Sequence, residues 1–335
     1  MLHDNMATTP TREPAGAVTG YAHPLYAQSH LEFGTPLELP RSRGWIIQRT
    51  IPGFPDRDAM GCYPMFTCGD WSQLGVDLEA LREPLVCLSL VTDPFGDYNE
   101  ADLRSWFPDL AVPFKEHYVV DLEKPRNKTI SKHHRYETRK ALKTVSIHEH
   151  SDPSAFLDTW MALHDNLIEK HHIEGVSAFS RSAFAQQLVT PGMVLLWASC
   201  GDEPVAAIMY FAQGQTVYAH ILGCNHLGYK HGALYALISA AIEHFTGTAR
   251  WLDLMGVPGA ADSGSEGIRQ FKRGWTRETR TAWLCGRIFN RARYAELVSA
   301  TGTALTNYFP AYRDGEMARA ASRPAAGDEP DGTMP

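Results

Sequence analysis

Lys272 closes the run Gly267-Ile-Arg-Gln-Phe-Lys272, on a short amphipathic helix expected between two strands. A lysine fixed there can hold a negatively charged donor, or the oxyanion that forms when an amine attacks a thioester or ester. A fixed cation at that point is worth about 3 kcal/mol. The plainer reading is a lysine beside a core phenylalanine. Asp253 lies inside Trp251-Leu-Asp-Leu-Met255, flanked by apolar neighbours. A carboxylate on such a strand must find a partner or shift its pKa. It could orient an acceptor amine or take its proton, or it could be a hydrogen-bonded structural acid. His220, near the end of a third strand, is a second candidate base.

Anion binding has two candidate sites. The loop Asn225-His-Leu-Gly228-Tyr-Lys-His-Gly232 leads into a helix, so Tyr229, Lys230 and Gly232 sit where backbone N–H groups hold phosphates. The stretch Lys124–Lys143 carries eight of the chain's 31 Lys and Arg residues. Arg135 and Arg139 stand one helical turn apart and could face one ligand. Two readings are open for this stretch, a phosphate-binding surface or a solvated helix linking two domains. His148 and His150 share a strand face without a third ligand, so no metal is expected. His171 and His172 lie at a helix end, where positive charge suits the dipole. No nucleophile-elbow, zinc-protease or P-loop pattern is present.

These residues need elements to position them. A chain of 335 residues with 44% apolar and 21% charged residues suits about two globular domains. A net charge of −7 does not favour nucleic acid as a partner, and no DNA is expected, so any anion site is local. The longest apolar run, Ala233 to Ile242, is too short to span a membrane. No signal peptide is evident, and a cytoplasmic location is expected. The six scattered cysteines read as buried free thiols. Residues 1–40 read as a flexible arm and 313–335 as a disordered tail.

The first segment, about 41–123, reads strand 45–51, strand 63–67, helix 71–81, strand 85–91, helix 100–107 and strand 117–122. The second, 144–312, reads strand, helix, helix, then a three-strand meander over 193–222 turned at Gly201-Asp-Glu-Pro204 and Gln213-Gly-Gln215. A helical stripe over 232–245, the strand 251–255, the Phe-Lys helix, a strand at 281–288 and a final helix follow.

That order is the order of the GNAT acetyltransferase fold, and its details resemble the FemAB-like acyltransferases. The stretches that carry the likeness are Arg135-x-x-x-Arg139-Lys-Ala-Leu-Lys143, Pro204-Val-Ala-Ala-Ile208, Trp251-Leu-Asp-Leu-Met-Gly256 and Gly267-Ile-Arg-Gln-Phe-Lys272. The resemblance implies an α/β (α+β) protein of two GNAT-like halves, each a mixed, mostly antiparallel sheet flanked by helices, the first degenerate. It implies that Phe271 and Lys272 serve the donor or transition-state site. It implies an N-acyltransferase acting on an amine of a cell-envelope or polysaccharide precursor, such as a nucleotide-sugar or lipid-linked intermediate. Acyl-CoA is favoured over aminoacyl-tRNA as donor, because the chain is acidic and no coiled-coil arm interrupts it. The phosphate loop departs from the usual Q/R-x-x-G-x-G/A spacing, which counts against coenzyme A. The alternatives are a tRNA-dependent peptidyltransferase and an inactive binding module.

Overall fold

The chain runs twice through one series of elements, and the two runs share a sheet. The computed structural model describes residues 17–81, 85–171 (167–171 as backbone), 179–257 and 266–316. The first run holds α1 (Pro24–Gln28), β1 (Thr35–Leu39), β2 (Gly44–Thr50), β3 (Arg57–Gly61), α2 (Leu74–Ala80), β4 (Cys87–Val91), α3 (Glu100–Trp106) and β5 (Leu110–Asp121). A link of α4 (Arg126–Thr129) and α5 (Lys132–Ala141) follows. The second run holds β6 (Ser146–Glu149), α6 (Leu157–His171), α7 (Arg181–Leu188), β7 (Met193–Cys200), β8 (Glu203–Gln213), β9 (Thr216–Cys224), α8 (His226–His231), α9 (Ala233–Phe245), β10 (Trp251–Asp253), α10 (Glu266–Arg273) and β11 (Thr279–Ile288). The helix α11 (Arg291–Thr301) comes last.

Local chemistry sets the helix starts. Asn99 and Asp102 form a reciprocal capping box on α3. Ser131 caps α5 by accepting from the His134 amide, and Ser180 does the same for α7. The α9 stripe is buried as its period requires, with Ala233, Ala236, Leu237, Ile238, Ala241, Ile242 and Phe245 turned to the sheet.

The eleven strands lie in the order β1-β2-β3-β4-β11-β5-β10-β9-β8-β7-β6. In each run an antiparallel group of three strands (β1–β3, β7–β9) is followed by a helix and a strand parallel to the third (β4 on β3, β10 on β9). A second helix and a long strand then follow. The long strands are exchanged: β11 pairs with β4 of the first run, β5 with β10 of the second, and the two pair with each other. The exchange makes one continuous mixed sheet, flanked by helices. It also brings side chains from opposite ends of the sequence onto neighbouring strands.

Three expectations need correction. The strand placed at 63–67 lies instead at Arg57–Gly61; Phe66 makes only a single bridge to Thr92, beside the end of β4. An apolar run there packs against a strand end without joining a ladder. The described part of the supposed arm, from residue 17, forms α1 and β1. It buries Tyr21, Tyr26 and Ala27 against Phe211 and Tyr218, because its aromatics cover apolar sheet. The last turn at Ala311–Arg313 is likewise packed, with Tyr312 and Arg313 buried. Residues 1–16 of the expected arm and 317–335 of the expected tail, and the side chains of His171 and His172, lie outside the described residues. The six cysteines are free, five of them buried and Cys200 partly so.

Close approach fixes Gly274, just after α10. A Cβ there would lie 1.9 Å from the His134 ring. That ring cannot swing aside: its Nε2 meets the Phe271 carbonyl at 2.8 Å, and it packs edge-on against Tyr235 and Trp275, each 5.0 Å away. Gly274→Ala is therefore expected to destabilise the protein by about 1–3 kcal/mol through overpacking. Urea unfolding checks this, and an unchanged midpoint would contradict the docking of α10 on α5.

Candidate active site

The parallel pair β9 and β10 gives the site its place. They pair only from Thr216 to Tyr218 against Trp251 to Asp253. Beyond that point β9 runs on to Cys224, paired with β8 on its other edge, while β10 turns away. The turn is tight. Met255 has φ 64°, a left-handed conformation uncommon for its residue type. Its amide donates to Asp253 Oδ1 at 2.6 Å. Backbone held in such a region marks a position where the surroundings impose the conformation.

Lys272 is what holds that turn. From α10 its Nζ donates to the Met255 carbonyl at 3.1 Å and the Gly256 carbonyl at 2.6 Å. An ammonium has three N–H donors, so one is left. Burial pushes Lys272 down to about 8, opposed by the Asp253 charge and assisted by Lys115. It remains a cation at neutral pH, but an easily discharged one. Phe271, its neighbour, packs against Tyr235 with ring centres 5.0 Å apart and gives its carbonyl to His134. It anchors α10 and points into the core, not toward Lys272's carbonyls.

Asp253 is fully buried and pairs with a residue the sequence reading passed over. Its Oδ2 accepts from His117 Nδ1 at 2.7 Å. His117 sits on β5, 136 positions away, and the strand exchange alone brings it there. With Nδ1 turned to the carboxylate, Nε2 is the ring nitrogen left to exchange a proton with a substrate, and among the described residues it has no hydrogen-bond partner. Lys115 lies two positions earlier on the same strand and packs within reach of Gly256. Burial lowers its pKa. The centre therefore gathers two lysines, one carboxylate and one oriented imidazole. The signal for His117 and Lys115 was their alternation along one strand face, which says nothing of a distant partner.

The other sequence candidates stand elsewhere. His220 is the extra residue of a bulge between Ala219 and Ile221 on β9. Its Nδ1 meets Tyr21 Oη at 3.1 Å and its Nε2 meets Gln187 Oε1 at 3.1 Å. Burial, then nearby His30 and His164, hold its pKa well below the usual histidine value. A neutral ring with both nitrogens engaged is a poor proton acceptor, which counts against the expected role of His220 as base. Arg135 donates to the carbonyls of Asn127 and Ile130, at 2.9 and 3.0 Å, and so ties α4 to α5. Arg139 is exposed on α5. The structure does not bring the two arginines to one ligand. Tyr229 and Lys230 are exposed on α8, and Gly232 at φ 70° turns the chain into α9 with no side-chain cap. A cavity of about 680 Å³ opens between α5 and α10, lined by His133, Arg273 and Arg277 among others. Among the described residues no group of three or more His, Cys, Asp or Glu could hold a metal. No helix there is long and apolar enough to cross a membrane.

Residues 126–273 match the family model of an acetyltransferase (GNAT) domain. No curated protein matches the chain by sequence. Among solved structures the chain is similar to FemX, at 11% identity and a TM-score of 0.59 over 82% of this chain and 93% of that one. It is similar to the C-terminal domain of a putative lysylphosphatidylglycerol synthetase from Agrobacterium fabrum, at 13% identity and a TM-score of 0.58 over 80% and 88% of the two chains. The structure of L-PGS from Bacillus licheniformis gives 13% identity and a TM-score of 0.54 over 82% and 95%. These likenesses span both runs of the sheet. The fold is FemAB-like, with two GNAT-type halves, as the sequence resemblance implied.

Proposed function

We propose that this chain, a FemAB-like fold carrying a GNAT acetyltransferase domain, transfers an acyl group from acyl-CoA to an amine by direct attack in a ternary complex. The observation that carries the reading is the partly buried Lys272 beside the His117–Asp253 pair, where β9 and β10 part. The donor's thioester carbonyl takes the third N–H of Lys272. The amine attacks, and the oxyanion that forms is stabilised by that ammonium. His117, oriented by Asp253, accepts the amine proton at Nε2 and returns it to the departing thiolate. The products are an amide and a free thiol, and no covalent enzyme intermediate is needed. Lys230 and the uncapped start of α9 are the proposed hold on the donor's phosphates. The acceptor class, a cell-envelope or polysaccharide precursor, is supported by the lipid named in lysylphosphatidylglycerol synthetase.

Aminoacyl-tRNA is the second donor reading. Its support is the exposure of Lys128, Lys132, Arg139 and Lys143 along α4, α5 and the following turn. A thermal-shift panel of acetyl-CoA, free CoA, UDP-sugars and tRNA separates the two. A ligand at a hundred times its Kd stabilises the native state by about 2.7 kcal/mol. Acetyl-CoA and CoA are expected to raise the melting temperature. A shift with tRNA alone, steeply weakened by salt, would replace the acyl-CoA reading.

A further inference from the structure

A second cavity, of about 420 Å³, lies where the two halves meet, on the sheet face that carries His117 and Asp253. Its wall includes Asp93, at the end of β4, and Arg280, on β11. Asp93 is 3% exposed. Its carboxyl receives the Thr67 hydroxyl at 3.0 Å, the Phe95 amide at 2.9 Å and the Tyr218 hydroxyl at 3.0 and 2.9 Å. Every one of these groups donates, and none is charged. The Phe95 amide can only donate and the two hydroxyls are placed to donate as well, so the pocket can hold a carboxylate. Burial pushes the other way, raising its pKa. A buried carboxylate served only by neutral donors gains most from a cation placed against it.

Arg280 has the complementary situation. Its guanidinium lies 4.3 Å from the Phe95 ring centre and 5.0 Å from that of Trp251, so it is held by aromatic faces. Its one hydrogen bond among the described residues is a long one, 3.5 Å to the Pro94 carbonyl. The planar fork is thus fixed and its donors are available for a carboxylate. Trp71 and Tyr218 supply the remaining apolar wall.

From this pairing of Asp93 with Arg280 across one aromatic cavity, we propose that the site binds a free amino acid, or the amino-acid end of a larger molecule, as a zwitterion. The ammonium meets Asp93 and the carboxylate meets Arg280. Asp97 also lines the cavity and adds to the preference for a cationic end. Asp93 and Asp253 are near enough to feel each other's charge. The assignment of this ligand as the acyl acceptor rests on the acyl-transfer reading; its binding does not.

Titration calorimetry on the full chain, without any donor, tests the binding. The probes are the free L-amino acids and, for the tightest of them, its primary amide and its N-acetyl derivative. One amino acid is expected to bind, and loss of either charged end should weaken it at least about tenfold. Arg280→Met should lower affinity for the free amino acid to that of the amide, and leave the amide unaffected. Asp93→Asn should act in the same way on the ammonium end. If Asp93→Asn fails to fold, the ligand series on the wild-type chain still decides. No amino acid binding at about 10 mM, or amide and N-acetyl forms binding as well as the parent, would overturn the proposal. Binding of amino acids with no acyl transfer to any of them would leave the site standing and remove only its role as acceptor.

Discussion

Lys272→Met is expected to lower kcat for acyl transfer about 10²–10³-fold while KM for the donor changes little. The reason is the geometry of one ammonium with two of its three N–H groups fixed on the Met255 and Gly256 carbonyls. The remaining N–H is preorganised and needs no movement when charge develops on the substrate. Methionine keeps the packing beside Phe271 and removes only the charge and its donors. The pH profile gives an independent check. Lys272 is a cation below its pKa of about 8 and neutral above it. Activity should therefore rise with pH as the acceptor amine loses its proton, then fall beyond about pH 8 as Lys272 loses its own. Lys272→Arg, if active, should move that descending limb upward. Loss of stability through Lys272 itself cannot explain the fall. The folded pKa lies below the ordinary 10.5, so the unfolded chain binds more protons in this interval. This group's contribution to stability then increases with pH from about 8 to 10.5. A flat profile, or a methionine variant with kcat within threefold of wild type, would remove Lys272 from the chemistry.

Asp58→Ala is expected to cost about 3–5 kcal/mol of stability. Asp58 on β3 is fully buried and receives Arg313 Nε at 2.5 Å, Arg313 Nη2 at 2.8 Å and Tyr312 Oη at 2.9 Å. Arg49 stands 3.5 Å from its other oxygen. Removing the carboxylate leaves Arg313, 4% exposed, with only Glu316, 2.7 Å from Nη1, as counter-ion and with its Nε donor unpaired. The effect on the fold follows from position. Arg313 also donates to the Thr50 carbonyl at 2.9 Å, so the clamp fastens the turn after α11 to the edge of the first half. Urea unfolding of Asp58→Ala should show an earlier transition, with donor binding retained by the folded fraction. A midpoint unchanged from wild type would mean that the C-terminal turn is held by apolar packing alone.

How much of this was legible in the sequence follows from what each feature depends on. The second half was readable because its signals are local: a helical stripe in α9, two short turns in the meander, Ser180 before α7 and Asp152-Pro153 before the helix at 157. Asp253 was also readable, as an ionisable residue set among apolar neighbours, and Lys272 was readable from the resemblance of Gly267-Ile-Arg-Gln-Phe-Lys272 to the FemAB-like acyltransferases. The exchange of β5 and β11 was not, since a strand's period shows which face it buries and not which strand it joins. His117 stayed hidden for the same reason. It becomes functional in appearance only once Asp253 is seen 2.7 Å away. His220 failed in the opposite direction. It looked like a candidate base by its place on β9, but Tyr21 and Gln187, from segments remote in sequence, occupy both ring nitrogens. Arg135 and Arg139 shared a helix face as their spacing required, yet backbone carbonyls claim the first. Side-chain spacing cannot show which groups of the main chain will be left wanting a donor.

The central claim is that Lys272 serves acyl transfer from coenzyme A to an amine. The most direct measurement is thiol release from acetyl-CoA over a panel of amine acceptors, run in parallel with wild-type protein and Lys272→Met. Thiol release that requires the amine, and that falls about 10²-fold or more in the variant, is the predicted result. Equal rates in the two proteins, or no amine-dependent thiol release from wild type with any acceptor, would contradict it.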